Sequence, residues 1–267
     1  MKATGKVFIV TGAGAGMGKE LTRQLLSKGA KVAAVDLNED YLAALKKEFS
    51  TYDAALSVHA LNVSDKEALG KLPEAVIAAH GALDGVFNNA GIIQPFVRIN
   101  DLDEQAIKRV MDINFYGLLH LTKACLPYLL QRPEAHIVNT SSMGGFLPVP
   151  GQGIYGASKA AVKLMTEALY AELIDTNVRV TIVFPGAIKT DITKNSGVNM
   201  KVDTSKPQKQ HKMLTSEKAA AIIIQGMEKN KFRVLVGGDA KFMDFLYRLS
   251  PRFATRFIAK QMKDLLT

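Results

Sequence analysis

The chain has 267 residues, of which 48% are hydrophobic and 22% charged, a composition typical of a soluble globular protein and not of a disordered one. No stretch approaches the roughly 20 apolar residues of a membrane span, and the first apolar run is too short for a signal peptide, so we expect a cytoplasmic protein. The formal net charge of +9 arises entirely after residue 186, where 16 Lys and Arg accompany 7 Asp and Glu.

The cysteine and histidine content argues against disulfide and metal chemistry. Cys125 is the one cysteine, so an intramolecular disulfide and a Cys-x-x-Cys metal cluster are both excluded, and its apolar surroundings predict a core thiol. The histidines lack metal-ligand spacing and are expected to be structural or surface residues: His59, His80, His120, His136 and His211. We therefore expect no metal.

Short β-branched runs alternate with amphipathic segments along most of the chain. The predicted strands cover residues 7–10, 31–36, 55–63, 83–91, 135–142, 178–186 and 232–238. Apolar strands separated by helices indicate a parallel sheet that is covered on both faces. The prediction is an α/β, doubly wound, three-layer fold of the Rossmann type, with a central sheet of about seven parallel strands in one domain, residues 1–267.

The octet TGAGAGMG, residues 11–18, follows the first predicted strand. It does not match G-x-G-x-x-G, but it has the spacing T-G-x-x-x-G-x-G through Thr11, Gly12, Gly16 and Gly18. Glycines allow a ligand to approach the backbone closely, and a helix that begins near Met17 would direct its free N–H groups at a pyrophosphate. The octet predicts a dinucleotide-binding loop.

Asp36, at the end of the second predicted strand, is placed to accept hydrogen bonds from a ribose diol. Its carboxylate would repel a 2′-phosphate, and its neighbours Ala15 and Leu37 carry no positive charge to offset this. NAD is therefore expected in preference to NADP. The alternative interpretation of Asp36 is an acidic residue at a helix N-terminus.

Further motifs follow in order: NNAG at 88–91, Asn114 in MDINFYG, the serines of IVNTSS, YGASK at 155–159 and PGAIKT at 185–190. With these motifs the sequence resembles the classical short-chain dehydrogenase/reductase family from residue 4 to about residue 190. The resemblance implies an oxidoreductase of the EC 1.1.1.- type that acts on CH–OH donors.

Tyr155 and Lys159 are four residues apart in a predicted helix, so their side chains share one face. A neighbouring ammonium, together with the positive nicotinamide ring, would stabilise the phenolate and lower the tyrosine pKa from about 10 toward the working range of a general acid and base. Ser142 would stabilise charge on the substrate oxygen. By resemblance, Lys159 also binds the nicotinamide ribose, and Asn114 positions a water that links Lys159 to solvent.

The resemblance also implies cofactor contacts outside the glycine loop. Asn89, Ala90 and Gly91 are expected beneath the adenosine side, and Asn62 and Val63 near the adenine, where the family commonly has Asp-Val. The nicotinamide end is expected to meet Pro185, Gly186, Ile188 and Thr190, together with Tyr155 and Lys159.

The candidate substrate pocket is almost entirely apolar. Its expected contacts are Ser142, Met143, Phe146, Gln152 and Tyr155, with Ile92, Ile93, Leu147 and Ile154 nearby. No arginine is obviously available to hold a carboxylate or phosphate, so we expect a lipophilic secondary alcohol or its ketone. The alternative is an acidic substrate that Lys194 or Lys201 would bind.

The last third of the chain contains two distinct segments. Residues 190–215 are polar and lysine-rich, which predicts a substrate lid, with a plain surface insertion as the alternative. Residues 248–267 are predicted to form a basic amphipathic helix, with Ser250 as N-cap and Pro251 at its first position. This helix is expected to pack on the core or on another subunit of a homodimer or homotetramer, with membrane contact as the alternative. No nucleic-acid partner is expected.

Three functions remain for a chain with these motifs. An NAD-dependent alcohol dehydrogenase or carbonyl reductase is favoured. A catalytically silent NAD(H) sensor is the alternative, although a sensor has no need of Asn114, Ser142, Tyr155 and Lys159. Epimerisation or dehydration is disfavoured, because no acidic insertion accompanies the tyrosine.

Overall fold

A computed structural model describes residues 1–198 and 213–262. Seven parallel strands form the central sheet in the order β3-β2-β1-β4-β5-β6-β9, which confirms the predicted doubly wound architecture. The strands are β1 Val7–Thr11, β2 Lys31–Asp36, β3 Leu56–Ala60, β4 Gly85–Asn88, β5 Ala135–Thr140, β6 Val178–Pro185, β7 Ile188–Lys189, β8 Leu214–Thr215 and β9 Arg233–Val236. The short strands β7 and β8 pair with each other outside the main sheet.

Helices connect the strands and cover the sheet. They are α1 Gly16–Ser27, α2 Glu39–Glu48, α3 Lys66–His80, α4 Glu104–Met111, α5 Leu118–Leu129, α6 Gly153–Glu172, α7 Ile192–Asn195, α8 Ser216–Glu228, α9 Gly238–Leu249 and α10 Pro251–Gln261. A π-helical turn, Asp112–Gly117, joins α4 directly to α5. In the part of the chain that the structure describes, no helix is both long and apolar enough to cross a membrane.

Every residue of β1 is buried, because both faces of the sheet are covered. Phe8 and Val10 contact a layer formed by α1, α2 and α8. Val7 and Ile9 point the other way, toward α3, α5 and α6. Cys125 belongs to this second layer, as predicted, and burial raises the pKa of its thiol.

The order of the sheet fixes where a ligand can bind. β1 lies between β2 and β4 in the sheet. After β1 the chain continues on one side of this strand, with β2 and β3, and after β3 it crosses to the other side to form β4. In such sheets a crevice opens at the carboxyl ends of the strands where the order reverses. The strands β3 and β4 end earlier than predicted, at Ala60 and Asn88, so Asn62-Val63 and residues 89–91 lie in the loops at this crevice.

The C-terminal part differs from the single helix predicted over 248–267. Two helices, α9 and α10, meet at Ser250, because the Ser250 side chain accepts from the Phe253 backbone N–H and caps α10 while Pro251 begins it. The predicted cap is confirmed, but the helix preceding it was not predicted. Residues 263–267 of the predicted helix and residues 199–212 of the predicted lid, including Lys201 and His211, lie outside the described residues.

Candidate active site

A cavity of about 590 Å³ opens at the carboxyl ends of β1, β2 and β4. Predicted cofactor contacts form half of its lining: Gly12, Gly16, Met17, Asp36, Leu37, Asn62, Val63, Asn89, Ala90, Gly91 and Thr190. Segments that are far apart in sequence thus enclose one space. Gly18, Tyr155, Lys159, Pro185, Gly186 and Ile188 do not line it.

The glycines of the loop are required by close backbone packing. Gly12 has φ +64° and Gly16 has φ +51°, a region that residues with side chains rarely adopt. A Cβ atom on Gly18 would lie 1.9 Å from the carbonyl oxygen of Gly12, and one on Gly12 would lie 3.0 Å from Cα of Ala90. Gly18 therefore allows α1 to start directly beneath the loop, although it does not face the cavity.

Thr11 ties the glycine loop to the loop after β4. Its Oγ1 accepts from the backbone N–H groups of Asn89 and Ala90, each at 3.0 Å, and the Asn89 side chain donates to the Thr11 carbonyl at 3.0 Å. The threonine of the octet and the NNAG motif consequently form one rigid floor of the cavity.

The Asp36 carboxylate lies at the edge of the cavity. Its Oδ2 accepts from the Gly14 N–H at 2.9 Å and its Oδ1 accepts from the Asn38 N–H at 3.0 Å. Each oxygen retains a lone pair, so the group can still accept from a ribose diol. Asp36 therefore supports the glycine loop as well, which the sequence did not reveal, and the α2 N-cap is Asn38.

The short helix α7 and its flanks cover one side of the cavity. The Tyr41 hydroxyl donates to Asn195 Oδ1 at 3.4 Å, and the Ile93 N–H donates to Ser196 Oγ at 3.0 Å. Arg109 donates to the Ser196 carbonyl at 3.4 Å and lines the cavity together with Lys194. Tyr41, Asn195 and Arg109 were not predicted as site residues.

Arg109 brings a positive charge to this cavity that the sequence did not predict, whereas the expectation of no arginine concerned the substrate contacts, none of which lines this cavity. Arg109 belongs to α4, and Ile113, four residues later, lines the same cavity. The helical spacing to Ile113 and the proximity to Asn114 were the available signals.

Tyr155 and Ser142 come together as predicted: a Cβ atom on Gly144 would lie 3.3 Å from Tyr155 Cε1 and 3.5 Å from Ser142 Oγ. Burial raises the pKa of Tyr155, whereas the nearby Ser142 hydroxyl acts to lower it, and burial dominates. The protein alone therefore favours the neutral phenol, and the predicted lowering of the pKa by Lys159 together with a nicotinamide cation stays a prediction.

The Lys159 side chain is held at the end of β5. Its Nζ is buried and donates to the carbonyl of Thr140 at 3.0 Å, at the end of β5. Burial lowers the pKa of Lys159 to about 8. Ser141 Oγ also donates to the Lys159 carbonyl at 2.7 Å, so α6 is held firmly against the end of β5.

Asn114 lies buried in the π-helical turn between α4 and α5. Its Oδ1 accepts from the Ile92 N–H at 2.8 Å, and its Nδ2 donates to the Ile92 carbonyl at 2.9 Å and to Ser158 Oγ at 3.0 Å. Both donor hydrogens are thus engaged within the protein. The side chain fixes the segment after NNAG against α6; its predicted role in a water relay stays a prediction.

Gln94 is a positioning residue that sequence reasoning missed. Its Oε1 accepts from the backbone N–H groups of Ile154 and Tyr155, at 2.8 and 2.9 Å, in the first turn of α6. Gln152, the residue before α6, donates from Nε2 to the Gln94 carbonyl at 2.8 Å. This long-range contact caps the helix that carries Tyr155, and no local pattern announces it.

The predicted substrate contacts divide into two groups. Ser142 and Tyr155 adjoin each other, but Gln152 is buried, including its Oε1, and its amide is directed at Gln94. The expected Gln152–substrate contact is therefore corrected: the side chain faces protein.

Phe146 and Met143 pack toward the C-terminal helices. The Phe146 ring lies 5.5 Å from Phe184 and 6.3 Å from Tyr247, and the Arg233 guanidinium lies over the Phe184 ring at 4.6 Å. Leu147 is fully buried in the same cluster. Any substrate role of Phe146 and Met143 stays a prediction, and α9 and α10 supply the wall behind them.

The segment after β6 approaches the glycine loop only at Thr190. A Cβ on Gly16 would lie 3.3 Å from the Thr190 Cγ2 atom. Pro185 is buried, and the backbone after Gly186 is held by Asp239, which accepts from the Ala187 N–H at 2.6 Å. These bonds fix the turn that brings Thr190 to the cavity.

A dinucleotide fits this arrangement. A Cβ on Gly91 would lie 3.1 Å from both Asn114 Oδ1 and Lys159 Nζ, so the absence of a side chain keeps the cavity floor next to these groups clear. The glycine loop leads into the N-terminus of α1, a place that favours an anion. The pyrophosphate would lie at the glycine loop and the adenosine ribose at Asp36.

Comparison with known proteins agrees with this geometry. The profile of the family described as short chain dehydrogenase matches residues 6–201. A Mycobacterium tuberculosis protein whose name, SadH, carries only the general label oxidoreductase is 36% identical over 261 residues, or 96% of this chain and 94% of SadH. The 3-oxoacyl-[acyl-carrier-protein] reductase FabG of Thermotoga maritima is 36% identical over 196 residues, covering 73% of this chain and 78% of FabG.

Solved structures show the same fold. A short chain dehydrogenase/reductase from Burkholderia phymatum, in complex with NAD, superimposes with a TM-score of 0.85 at 25% identity, covering 95% of this chain and 96% of that one. The chain belongs to the short-chain dehydrogenase/reductase family and is an oxidoreductase of that family. The family and the cavity together support a nicotinamide dinucleotide as cofactor.

Proposed function

We propose that this protein is an NAD-dependent oxidoreductase that interconverts a lipophilic secondary alcohol and its ketone, with Tyr155 as general acid and base. The observation that carries the proposal is the proximity of the Ser142 hydroxyl to Tyr155, which stands in the first turn of a helix capped by Gln94. The bound nicotinamide would supply the hydride acceptor, the one function that the protein's own side chains lack.

The protonation states suit this role. Burial keeps Tyr155 a neutral phenol that can protonate a carbonyl oxygen, while Ser142 hydrogen-bonds the same oxygen. With a pKa of about 8, Lys159 is mainly protonated at neutral pH, so its positive charge is available to stabilise a tyrosinate in the oxidation direction. That charge is lost as the pH rises through 8.

The variant Tyr155→Phe tests the proposal, because it removes the transferable proton and keeps the ring. We expect kcat to fall by about 10²- to 10⁴-fold while the Kd for NAD changes little. Turnover is followed by absorbance of the reduced nicotinamide, and binding by calorimetry. A wild-type protein that binds NAD but turns over no alcohol or ketone would support the silent sensor instead.

The preference for NAD rests on Asp36, whose carboxylate would repel a 2′-phosphate. In Asp36→Asn the side-chain oxygen can still support the loop, but the charge is gone. We expect the ratio of kcat/KM for NAD over NADP to fall by about tenfold or more. Equal losses with both cofactors would mean that Asp36 only supports the Gly14 loop.

The apolar side chains Met143 and Phe146 beside Ser142 support a lipophilic substrate, and FabG provides a relative named for a ketone on an acyl chain. Arg109 and Lys194 favour a second candidate, an anionic hydroxy acid. A panel of aliphatic, steroid-like and short anionic alcohols distinguishes the two. A preference for the anions that disappears in Arg109→Gln would establish the second.

We further propose a lid over the cavity and assembly of the protein into a homo-oligomer. The bonds of Tyr41, Ile93 and Arg109 to residues 195 and 196 support a lid that begins at Thr190. Family membership and the exposed side chains of Leu164 and Ile174, on and just after α6, support assembly into a homo-oligomer through that helix.

A further inference from the structure

The helices α9 and α10 present a contiguous surface that the proposed reaction does not use. Four large apolar side chains on it are exposed to solvent: Phe242 by 54%, Phe245 by 65%, Leu249 by 72% and Phe253 by 56%. Single exposed apolar residues are ordinary, but four on two adjoining helices form a patch. We refer to these residues, with the cations described next, as the α9–α10 face.

Aromatic contacts place both helices' apolar residues on the same side. The Phe257 ring lies 6.4 Å from Phe242 on α9 and 6.5 Å from Phe253 on α10. On α9, residues 242, 245 and 249 follow each other at helical spacing, so they form one stripe. The stripe therefore continues from one helix to the next across Phe257.

Exposed cations border this stripe. They are Lys241 and Arg248 on α9, and Arg252, Arg256 and Lys260 on α10, the last three at intervals of four residues on one helical face. Arg248 is paired with Asp244, which also binds Arg233 through two bonds of 2.8 and 2.7 Å. These ion pairs hold α9 on the edge strand β9.

The opposite sides of both helices are firmly packed. Met243, Ala254 and Ile258 are buried against Leu147, with Phe146 and Tyr247 alongside. The apolar residues of the α9–α10 face are therefore distinct from the residues by which the same helices pack on the core. They remain on the outside while other side chains of the same helices form the core.

We propose that the α9–α10 face docks on an anionic lipid bilayer. Exposed Phe and Leu side chains bordered by Arg and Lys are the features by which amphipathic helices lie in a membrane interface, with the apolar tips below the headgroups and the cations among the phosphates. A two-fold contact between copies would instead bring two sets of these cations into one interface, and their mutual repulsion opposes a dimer through this face.

Vesicle sedimentation with the full chain tests the proposal. The protein should sediment with vesicles of phosphatidylcholine and phosphatidylglycerol at low salt, much less with phosphatidylcholine alone, and high salt should release it. The triple variant Arg252→Gln, Arg256→Gln, Lys260→Gln should weaken binding by roughly fivefold per charge. The matched control Lys66→Gln, Lys71→Gln, Lys123→Gln removes three exposed cations elsewhere and should keep wild-type binding.

A fluorescent reporter provides an independent measurement, because the chain contains no tryptophan. Phe253→Trp should shift its emission to the blue when phosphatidylglycerol vesicles are added. Ala44→Trp, at an exposed position on α2, should not shift. Circular dichroism melts establish that each variant is folded.

Three results would overturn the proposal. One is a lack of binding to phosphatidylglycerol vesicles with an unchanged Phe253→Trp spectrum. Another is an equal loss of binding in the control triple variant, which would reduce the effect to net charge. The third is a lower molecular mass for the double variant Phe245→Ser, Leu249→Ser than for the wild type, measured by sedimentation velocity. That result would show that the α9–α10 face is a contact between copies.

Discussion

The dinucleotide end and the substrate end of the candidate site are built from different kinds of groups: backbone loops at the first, packed side chains at the second. At the dinucleotide end, Gly12, Gly16, Asp36, Asn89 and Thr190 line one cavity, as their motifs predict. At the substrate end, Gln152 is directed into the protein and Phe146 packs against Phe184 and Tyr247.

The difference reflects what each end recognises. A pyrophosphate is bound by backbone N–H groups, so the sequence needs glycines at fixed intervals and these are visible as a motif. A substrate pocket is lined by side chains whose directions depend on whatever packs behind them, here α9 and α10.

The sharpest test of the dinucleotide end is Gly18→Ala. Its Cβ would lie 1.9 Å from the Gly12 carbonyl oxygen, so the loop must shift, and we expect the Kd for NAD to rise by about tenfold to a hundredfold. Calorimetric titration measures it. In the control Gly70→Ala, on α3, nothing lies within 4 Å of the new Cβ, and NAD affinity should be unchanged. Unchanged affinity in Gly18→Ala would show that the loop tolerates a different backbone.

Lys159 lies between the dinucleotide end and the substrate end. Its pKa in the folded protein, about 8, is below its value in the unfolded chain. Burying the Lys159 charge lowers the free energy of unfolding. This loss is regained as the pH rises from 8 toward 10.5, because in that range the unfolded chain binds more protons than the folded protein. We expect Lys159→Met to raise the free energy of unfolding by about 2 kcal/mol at pH 7.

Urea unfolding of the ligand-free proteins across this pH range measures the effect, and the advantage of Met should shrink above pH 8. A constant difference from pH 7 to 10.5 would contradict the low pKa of Lys159. The same variant should lose most of its turnover, which would separate stability from catalysis.

The substrate end is tested by Gln94→Ala, which removes the acceptor for the Ile154 and Tyr155 N–H groups. We expect kcat to fall by about fivefold to tenfold with the KM for NAD unchanged, since the helix carrying Tyr155 loses its cap. Gln94→Glu keeps the acceptor oxygen and should recover most of the rate. An equal loss of kcat in Gln94→Ala and Gln94→Glu, or a change in the KM for NAD without a change in kcat, would indicate a purely structural role.

By itself the sequence determined the parallel sheet and the glycine loop, and it predicts that Ser142, Tyr155 and Lys159 belong to one site. These depend on local signals: buried β-branched strands, glycine spacing and helical spacing. The motifs also predicted that Asn114 belongs to the site, before its bonds to Ile92 and Ser158 were known.

Only the tertiary structure decided how these groups are poised. It directed Lys159 Nζ to the Thr140 carbonyl, raised the pKa of Tyr155, capped α6 with Gln94 and brought Arg109 to the cavity. It also divided the basic C-terminal segment into a packed side and the α9–α10 face. Burial, pKa and long-range hydrogen bonds depend on residues distant in sequence, so no local pattern can specify them.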